Sequence, residues 1–196
     1  MIDNSILTFS NHKNAVLCCS ISNNGSFAVS GDQNDMAYVW DFATGNVKFE
    51  CNGHKDSVVC VGFSQKDNYI ATGDMSGLIE IWNENGDKIT QFEVDEINWM
   101  RWHPCINNVL LAGTKEGTAW MWQLDVKGDS NCKTFQGFGS SNTIGIYLND
   151  GKRSVMGYED GSIRIWDLKS TSVISSITGN SYILIQLSKS SLLNYK

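Results

Sequence analysis

Three histidines, His12, His54 and His103, are the side chains best suited to acid–base or metal chemistry in this sequence. Used as a catalytic base, a histidine needs a nucleophile and an orienting carboxylate beside it. No serine, cysteine or carboxylate recurs near these three in the sequence with that logic, and His103 sits in a Trp102-His103-Pro104 turn. Six cysteines (18, 19, 51, 60, 105 and 132) form no CxxC pair and no ligand-like spacing. Most lie in apolar runs, so they are expected to be small buried hydrophobes in a reducing compartment. Glycine is abundant, with 18 residues, but no segment reads GxxxxGK followed by Ser or Thr. The sequence therefore predicts no catalytic residue, no metal and no cofactor. What His12 and His54 share is a distance: each stands 28 residues before a tryptophan, Trp40 and Trp82.

That distance belongs to a repeat. Trp40, Trp82, Trp122 and Trp166 follow one another at intervals of 42, 40 and 44 residues, each with a glycine nine residues earlier: Gly31, Gly73, Gly113 and Gly157. Between glycine and tryptophan lie GDQNDMAYVW, GDMSGLIEIW, GTKEGTAWMW and GYEDGSIRIW. Each is a turn followed by an alternating apolar stretch, and alternation with period 2 places every second side chain on one face of a sheet. Each repeat supplies four such stretches, near residues 16–20, 27–30, 37–40 and 47–51 in the first repeat. The second runs 58–63, 69–72, 78–82 and 88–92; the third 97–102, 109–112, 118–122 and 132–135; the fourth 144–148, 154–156, 163–166 and 173–177. An additional early strand is expected over about Ser5–Phe9.

A period of 40 to 45 residues with glycine-histidine early and tryptophan late resembles the WD40 repeat. The predicted fold class is all-β: a WD40 β-propeller of four four-stranded antiparallel blades, either a partial propeller or a small closed ring. Gly53-His54, Trp40-Asp41 and Trp166-Asp167 carry the signature literally. The resemblance implies that His12 and His54 bond a hydroxyl, Ser30 and Thr72, which in turn holds the indole N–H of Trp40 and Trp82. A buried indole N–H without an acceptor costs about 1–3 kcal/mol, which is the physical reason for such an arrangement. The third and fourth repeats lack both members, with Val94 and Phe138 at the histidine offset and Ala112 and Met156 at the hydroxyl, so these blades are expected to be less rigid. The turn aspartate survives as Asp160, with Asn34, Ser76 and Glu116 in its place elsewhere. Repeats are placed at about 5–41, 47–83, 89–123 and 132–168, the whole region at 5–178, and a divergent tail at 179–196.

The stretches at 50–64, 71–82, 99–104, 110–122, 132–137 and 150–169 look like the angio-associated migratory cell protein family; WMRWHP and CKTFQG in particular are not generic repeat consensus. The resemblance implies a non-catalytic protein–protein scaffold. It links the chain to cell migration and angiogenesis and, through fungal relatives, to escort of a basic ribosomal protein of the large subunit. Family members carry more repeats than this chain, and after Gly179 the family pattern stops, leaving only Tyr182–Leu187 as a further candidate strand. The expectation is a truncated product. The alternatives are a closed four-bladed ring or a half-ring that pairs with a second copy through its unpaired blade edges.

Formal net charge is -6, which repels a phosphate backbone and argues against a nucleic-acid partner. No apolar stretch approaches membrane-spanning length and no signal peptide is evident, so no membrane insertion is expected and the location is predicted as cytoplasmic, with the nucleus the alternative. Loops entering the first strand and joining the second to the third lie at one end of a meander. They hold Asp32, Asp35, Asp56, Asp74, Asp95, Glu96, Glu116, Glu159 and Asp160 against Lys13, Lys55 and Lys115. Such a rim would attract a basic polypeptide, with Asp32, Asp56, Asp74, Glu116 and Glu159 as contacts and Met75, Phe138 and Tyr158 as candidate anchors. Equally open is that these are ordinary solvated turns that keep the protein soluble. Trp99 and Trp120 alternate with core positions and fit core packing as well as contact.

Overall fold

Valine, isoleucine and aromatic residues at every second position, punctuated by glycine turns, satisfy the strand condition sixteen times over. The computed structural model describes residues 7–125 and 130–178, and these contain strands, turns and no helix. Blade 1 comprises β1 (Val16–Ile21), β2 (Phe27–Asp32), β3 (Ala37–Asp41) and β4 (Val47–Cys51). Blade 2 comprises β5 (Val58–Phe63), β6 (Tyr69–Asp74), β7 (Leu78–Asn83) and β8 (Lys88–Glu93). Blade 3 comprises β9 (Ile97–Trp102), β10 (Val109–Thr114), β11 (Ala119–Leu124) and β12 (Ser130–Phe135). Blade 4 comprises β13 (Asn142–Tyr147), β14 (Arg153–Tyr158), β15 (Ile163–Asp167) and β16 (Ser172–Ile177). Each blade is a separate antiparallel meander with its strands in chain order.

Of the strand expected at Ser5–Phe9, Leu7–Phe9 are irregular, and Ser5 and Ile6 lie outside the described residues. Side-chain packing takes its place. The Phe9 ring stacks on Trp40 at 4.7 Å with the planes 6° apart. The tail strand expected at 182–187 also lies outside the described residues.

Register slips recur at matching places. The first pair of strands shifts between Val16 and Cys18 in blade 1, Val58 and Cys60 in blade 2, and Asn142 and Ile144 in blade 4. A second bulge falls just before the repeat tryptophan, at Val39/Trp40, Ile81/Trp82 and Ile165/Trp166. Bulges increase local twist, so these positions coil each blade.

Contacts divide the chain into two units, one ending at Glu93 with blades 1 and 2, the other starting at Val94 with blades 3 and 4. The first packs Val29, Val39, Val58, Ile70 and Trp82 between its blades; the second packs Trp99, Leu111, Phe135, Tyr147, Met156 and Trp166. Burying one such side chain fully contributes about 1.5–3 kcal/mol. In the second unit the Trp99 ring lies where a side chain on Gly113 or Gly145 would have to sit, so both positions need the bare backbone. Its indole N–H reaches Asn142 Oδ1 across the two blades at 3.0 Å.

Cysteine burial differs from expectation. Cys51 alone is buried; Cys18 and Cys60 are half-buried, and Cys19, Cys105 and Cys132 are exposed. Their neighbours in sequence are apolar, but Cys19 and Cys132 fall on outward faces of β1 and β12, and Cys105 lies in a turn. Burial pushes the Cys18 thiol up to about 12 and raises Cys51 as well, so neither thiol is poised to react.

Candidate functional site

Strand β2 places Ser30 and Asp32, two residues apart, on one face beside the incoming His12; β6 does the same with Thr72 and Asp74 beside His54. In blade 2 the Trp82 indole N–H donates to Thr72 Oγ1 at 3.0 Å, Thr72 pairs with His54 Nε2 at 2.7 Å, and His54 Nδ1 lies 3.0 Å from Asp74 Oδ2. An imidazole that donates from Nδ1 and accepts at Nε2 completes the chain from indole to hydroxyl, hydroxyl to imidazole and imidazole to carboxylate, with Glu80 Oε2 a further 3.5 Å from Nε2. Blade 1 repeats the chain with Trp40, Ser30, His12 and Asp32 at 3.1, 2.6 and 2.7 Å.

The Ser30 and Thr72 hydroxyls stand beside His12 and His54 as the repeat resemblance implies, whereas the Asp32 and Asp74 carboxylates were expected at the rim and not beside the histidines. Their separation of 18 and 20 residues hides a proximity that the strand return creates. Asp, His and Ser or Thr in a row are the components of a hydrolase triad, but the geometry here serves structure. Ser30 is 4% exposed and Thr72 wholly buried, and each hydroxyl is taken up by an indole N–H rather than presented to a substrate.

Two rim candidates change place for the same reason. Asp32 and Asp74 are 2% and 0% exposed, so they belong to the interior. Asp74 Oδ1 accepts from the Ser76 hydroxyl and from the Ser76 and Leu78 amides, while Oδ2 takes the Lys55 amide as well as His54. Burial pulls its pKa up, but the Ser76 hydroxyl, His54 and the Lys55 amide outweigh that and hold it below the ordinary carboxylate value. A contact signal was present in the spacing: aspartate stands eight residues before tryptophan only in the two repeats that have the histidine.

Blades 3 and 4 solve the problem differently. At the aspartate position stand Thr114, whose hydroxyl donates to the Thr118 carbonyl, and Tyr158. Tyr158, proposed from sequence as an exposed anchor, is fully buried, and its hydroxyl accepts the Trp166 indole N–H at 3.2 Å. Arg164 lies between the Tyr158 and Phe138 rings, 4.2 and 4.4 Å from their centroids, a sandwich with no signal in the spacing of these residues. In blade 3 Trp122 is buried and stacks on Trp120.

His103 is more than a turn residue. Its Nδ1 accepts the Cys105 and Ile106 amides at 3.0 and 2.9 Å, and its Nε2 donates to the Gly151 carbonyl at 2.7 Å, tying blade 3 to blade 4. Asp41 and Asp167, which follow their tryptophans, each accept two amides and one hydroxyl in the next turn. Those bonds, from Thr44 and Ala43 and from Ser170 and Lys169, hold both carboxyls below the usual range.

What remains at the loop ends is an exposed acidic set. In every blade the turn after the second strand is bonded to the loop before the first: Gln33 to Ala15, Met75 to Ser57, Lys115 to Glu96 and Glu159 to Ser141. Asp56, Asp95, Glu116, Glu159 and Asp160 are exposed there. Lys55 and Lys115 are engaged by Glu93 and Glu96. Asp160 caps the turn through Ser162 and lies 3.7 Å from Arg164. Met75 and Phe138 are exposed apolar neighbours in blades 2 and 4, at 41% and 62%. Among the described residues no group of three or more His, Cys, Asp or Glu is arranged to hold a metal ion.

Residues 3–41 and 45–83 match the family model for the WD domain, G-beta repeat. The chain is 47% identical over 179 residues to the angio-associated migratory cell proteins of Homo sapiens, Pongo abelii and Canis lupus familiaris. That alignment covers 90% of this chain but 40% of the relatives' length. Among solved structures it resembles Saccharomyces cerevisiae Sqt1, with a TM-score of 0.85 and 21% identity over 91% of this chain and 51% of that one. It also resembles the β-propeller domain of Myceliophteria thermophila Cps50 (Swd1), with a TM-score of 0.80 and 16% identity over 90% and 61% of the two chains. Both likenesses establish the propeller fold alone. The chain thus carries WD40 repeats and is similar, along 90% of its own length and 40% of theirs, to the angio-associated migratory cell proteins.

Proposed function

We propose that this chain is a non-catalytic docking platform whose acidic loop ends hold a basic segment of another protein. The observation that carries the reading is Asp95, Glu116 and Glu159 in the second unit, exposed carboxylates at the loop ends with no ion-pair partner among the described residues; Asp56 holds the equivalent place within the first unit. Carboxylates fixed on bonded turns are pre-organised, so binding a cation there costs little ordering. They also raise the encounter rate of a basic partner. Exposed Phe138, its ring against Arg164, supplies an aromatic anchor of the kind that dominates interface energies. Family resemblance narrows the partner to two classes: a basic ribosomal protein escorted in the cytoplasm, or a component of migration signalling. The ribosomal reading fits the charge more directly.

The test is affinity purification of the tagged chain from its own cells at low and high salt, beside an Asp56→Lys/Glu116→Lys/Glu159→Lys variant. Recovery of one basic protein, lost in high salt and reduced about tenfold or more by the variant, is expected. Equal recovery by the variant, or recovery of general folding chaperones alone, would refute the proposal.

A further inference from the structure

The second unit carries another concavity, at the opposite end of its blades from Glu116 and Glu159. A cleft of about 490 Å³ opens between the β9–β10 turn, strands β11 and β12, and the β13–β14 and β15–β16 turns. Its volume is in the range of sites that take ligands. Ile106, Val109, Met121 and Leu168 supply the floor, and Lys133, Lys152 and Lys169 stand around it. The single carboxylate in the lining, Asp167, spends Oδ1 on the Lys169 and Ser170 amides and the Ser170 hydroxyl.

The walls are fixed before any ligand arrives. The His103–Gly151 bond holds the β9–β10 turn to the β13–β14 turn at 2.7 Å. Lys133 Nζ donates to the Leu168 and Lys169 carbonyls at 3.2 and 2.8 Å, which pins β12 to the β15–β16 turn. The Lys152 and Lys169 ammonium groups have no ion pair or side-chain hydrogen bond among the described residues, and both residues are exposed. Strand β12 is the outermost of its sheet, so one row of its main-chain groups is without a strand neighbour among the described residues.

We propose that this cleft docks an acidic linear peptide: one or two aliphatic side chains on the floor, flanked by Asp or Glu toward Lys152 and Lys169. Charge complementarity selects the sign, because the cleft is basic in a chain of net charge -6. The floor selects the chemistry. Single-stranded nucleic acid needs aromatic faces for its bases, and this floor is aliphatic. An extended peptide can also pair with the free edge of β12 while placing alternate side chains inward.

The experiment is fluorescence anisotropy of the chain with three fluorescein-labelled peptides, EELIEE, EEGGEE and KKLIKK, and with labelled oligouridylate. Saturable binding of EELIEE alone is expected, weakened about tenfold or more by Lys152→Glu/Lys169→Glu. An exposed floor substitution, Ile106→Glu, should weaken it by a similar factor while leaving the circular dichroism spectrum unchanged. Both variants replace exposed side chains, so the fold should survive and a negative result would count. Equal affinity for EEGGEE, preference for oligouridylate, or binding indifferent to both variants would overturn the proposal.

Discussion

Thr72→Val tests whether the buried chain in blade 2 works as a unit. Valine keeps the shape of threonine and exchanges the hydroxyl for a methyl, so packing is nearly preserved. Two buried groups lose this hydroxyl: the Trp82 indole N–H at 3.0 Å, and His54 Nε2 at 2.7 Å, which keeps only Glu80 Oε2 at 3.5 Å. Trp82 is 5% exposed and the His54 side chain 0%, so water cannot readily replace the hydroxyl. At about 1–3 kcal/mol for each of the two groups, the loss should be about 2–6 kcal/mol. That is a large share of the 5–15 kcal/mol by which a domain is ordinarily stable. In urea, with a slope of about 2 kcal/mol/M, the midpoint should fall by about 1–3 M at unchanged slope. A cycle with Trp82→Phe isolates the shared bond. In the phenylalanine background Thr72→Val orphans only His54, so the two substitutions should couple by about 1–2 kcal/mol. The equivalent Ser30→Ala in blade 1 should cost less, about 1–2 kcal/mol, because Trp40 is partly exposed and water can reach its indole. A loss below about 1 kcal/mol for Thr72→Val, or additive behaviour in the cycle, would refute the reasoning.

Tyr158→Phe in blade 4 orphans the Trp166 indole N–H, 3.2 Å from the lost hydroxyl, and should lower stability by about 1–3 kcal/mol in urea titration. Stability unchanged would mean that Trp166 finds another acceptor. Gly145→Ala inserts a methyl into the Trp99 ring and should cost about 1–3 kcal/mol, visible as a lower midpoint and altered tryptophan fluorescence; a neutral result would contradict the close approach. Asp41, Asp74, Asp150, Asp160 and Asp167 all have folded-state pKa values lowered from the ordinary 3.8. A lowered carboxylate stabilises the fold above its unfolded pKa and stops doing so as pH falls through the folded one, so the urea midpoint should drop steadily below about pH 4. A midpoint that holds or rises from pH 5 to below about pH 3 would contradict the turn-capping role.

The repeat was legible because it is periodic in composition: tryptophan spacing, glycine nine residues earlier and alternating apolar residues each follow from local strand and turn chemistry. From these alone came the blades and the sixteen strands to within a few residues, while the histidine–hydroxyl–indole pairing of Trp40 and Trp82 came from the resemblance to the WD40 repeat. Contact across strands is a different kind of information. That Asp32 and Asp74 close the chain behind His12 and His54 depends on where the strands return, and a count of acidic residues along the sequence put both on a surface. Tyr158 was misplaced likewise, since an exposed anchor and a buried acceptor for Trp166 look alike until the fourth blade packs. Composition could give the sign of the loop ends, but only burial decided which carboxylates remain there to meet a partner. The basic cleft had no sequence signal at all. Lys133, Lys152 and Lys169 lie on separate turns and strands, and a polypeptide's long-range contacts, not its local preferences, bring them around one apolar floor.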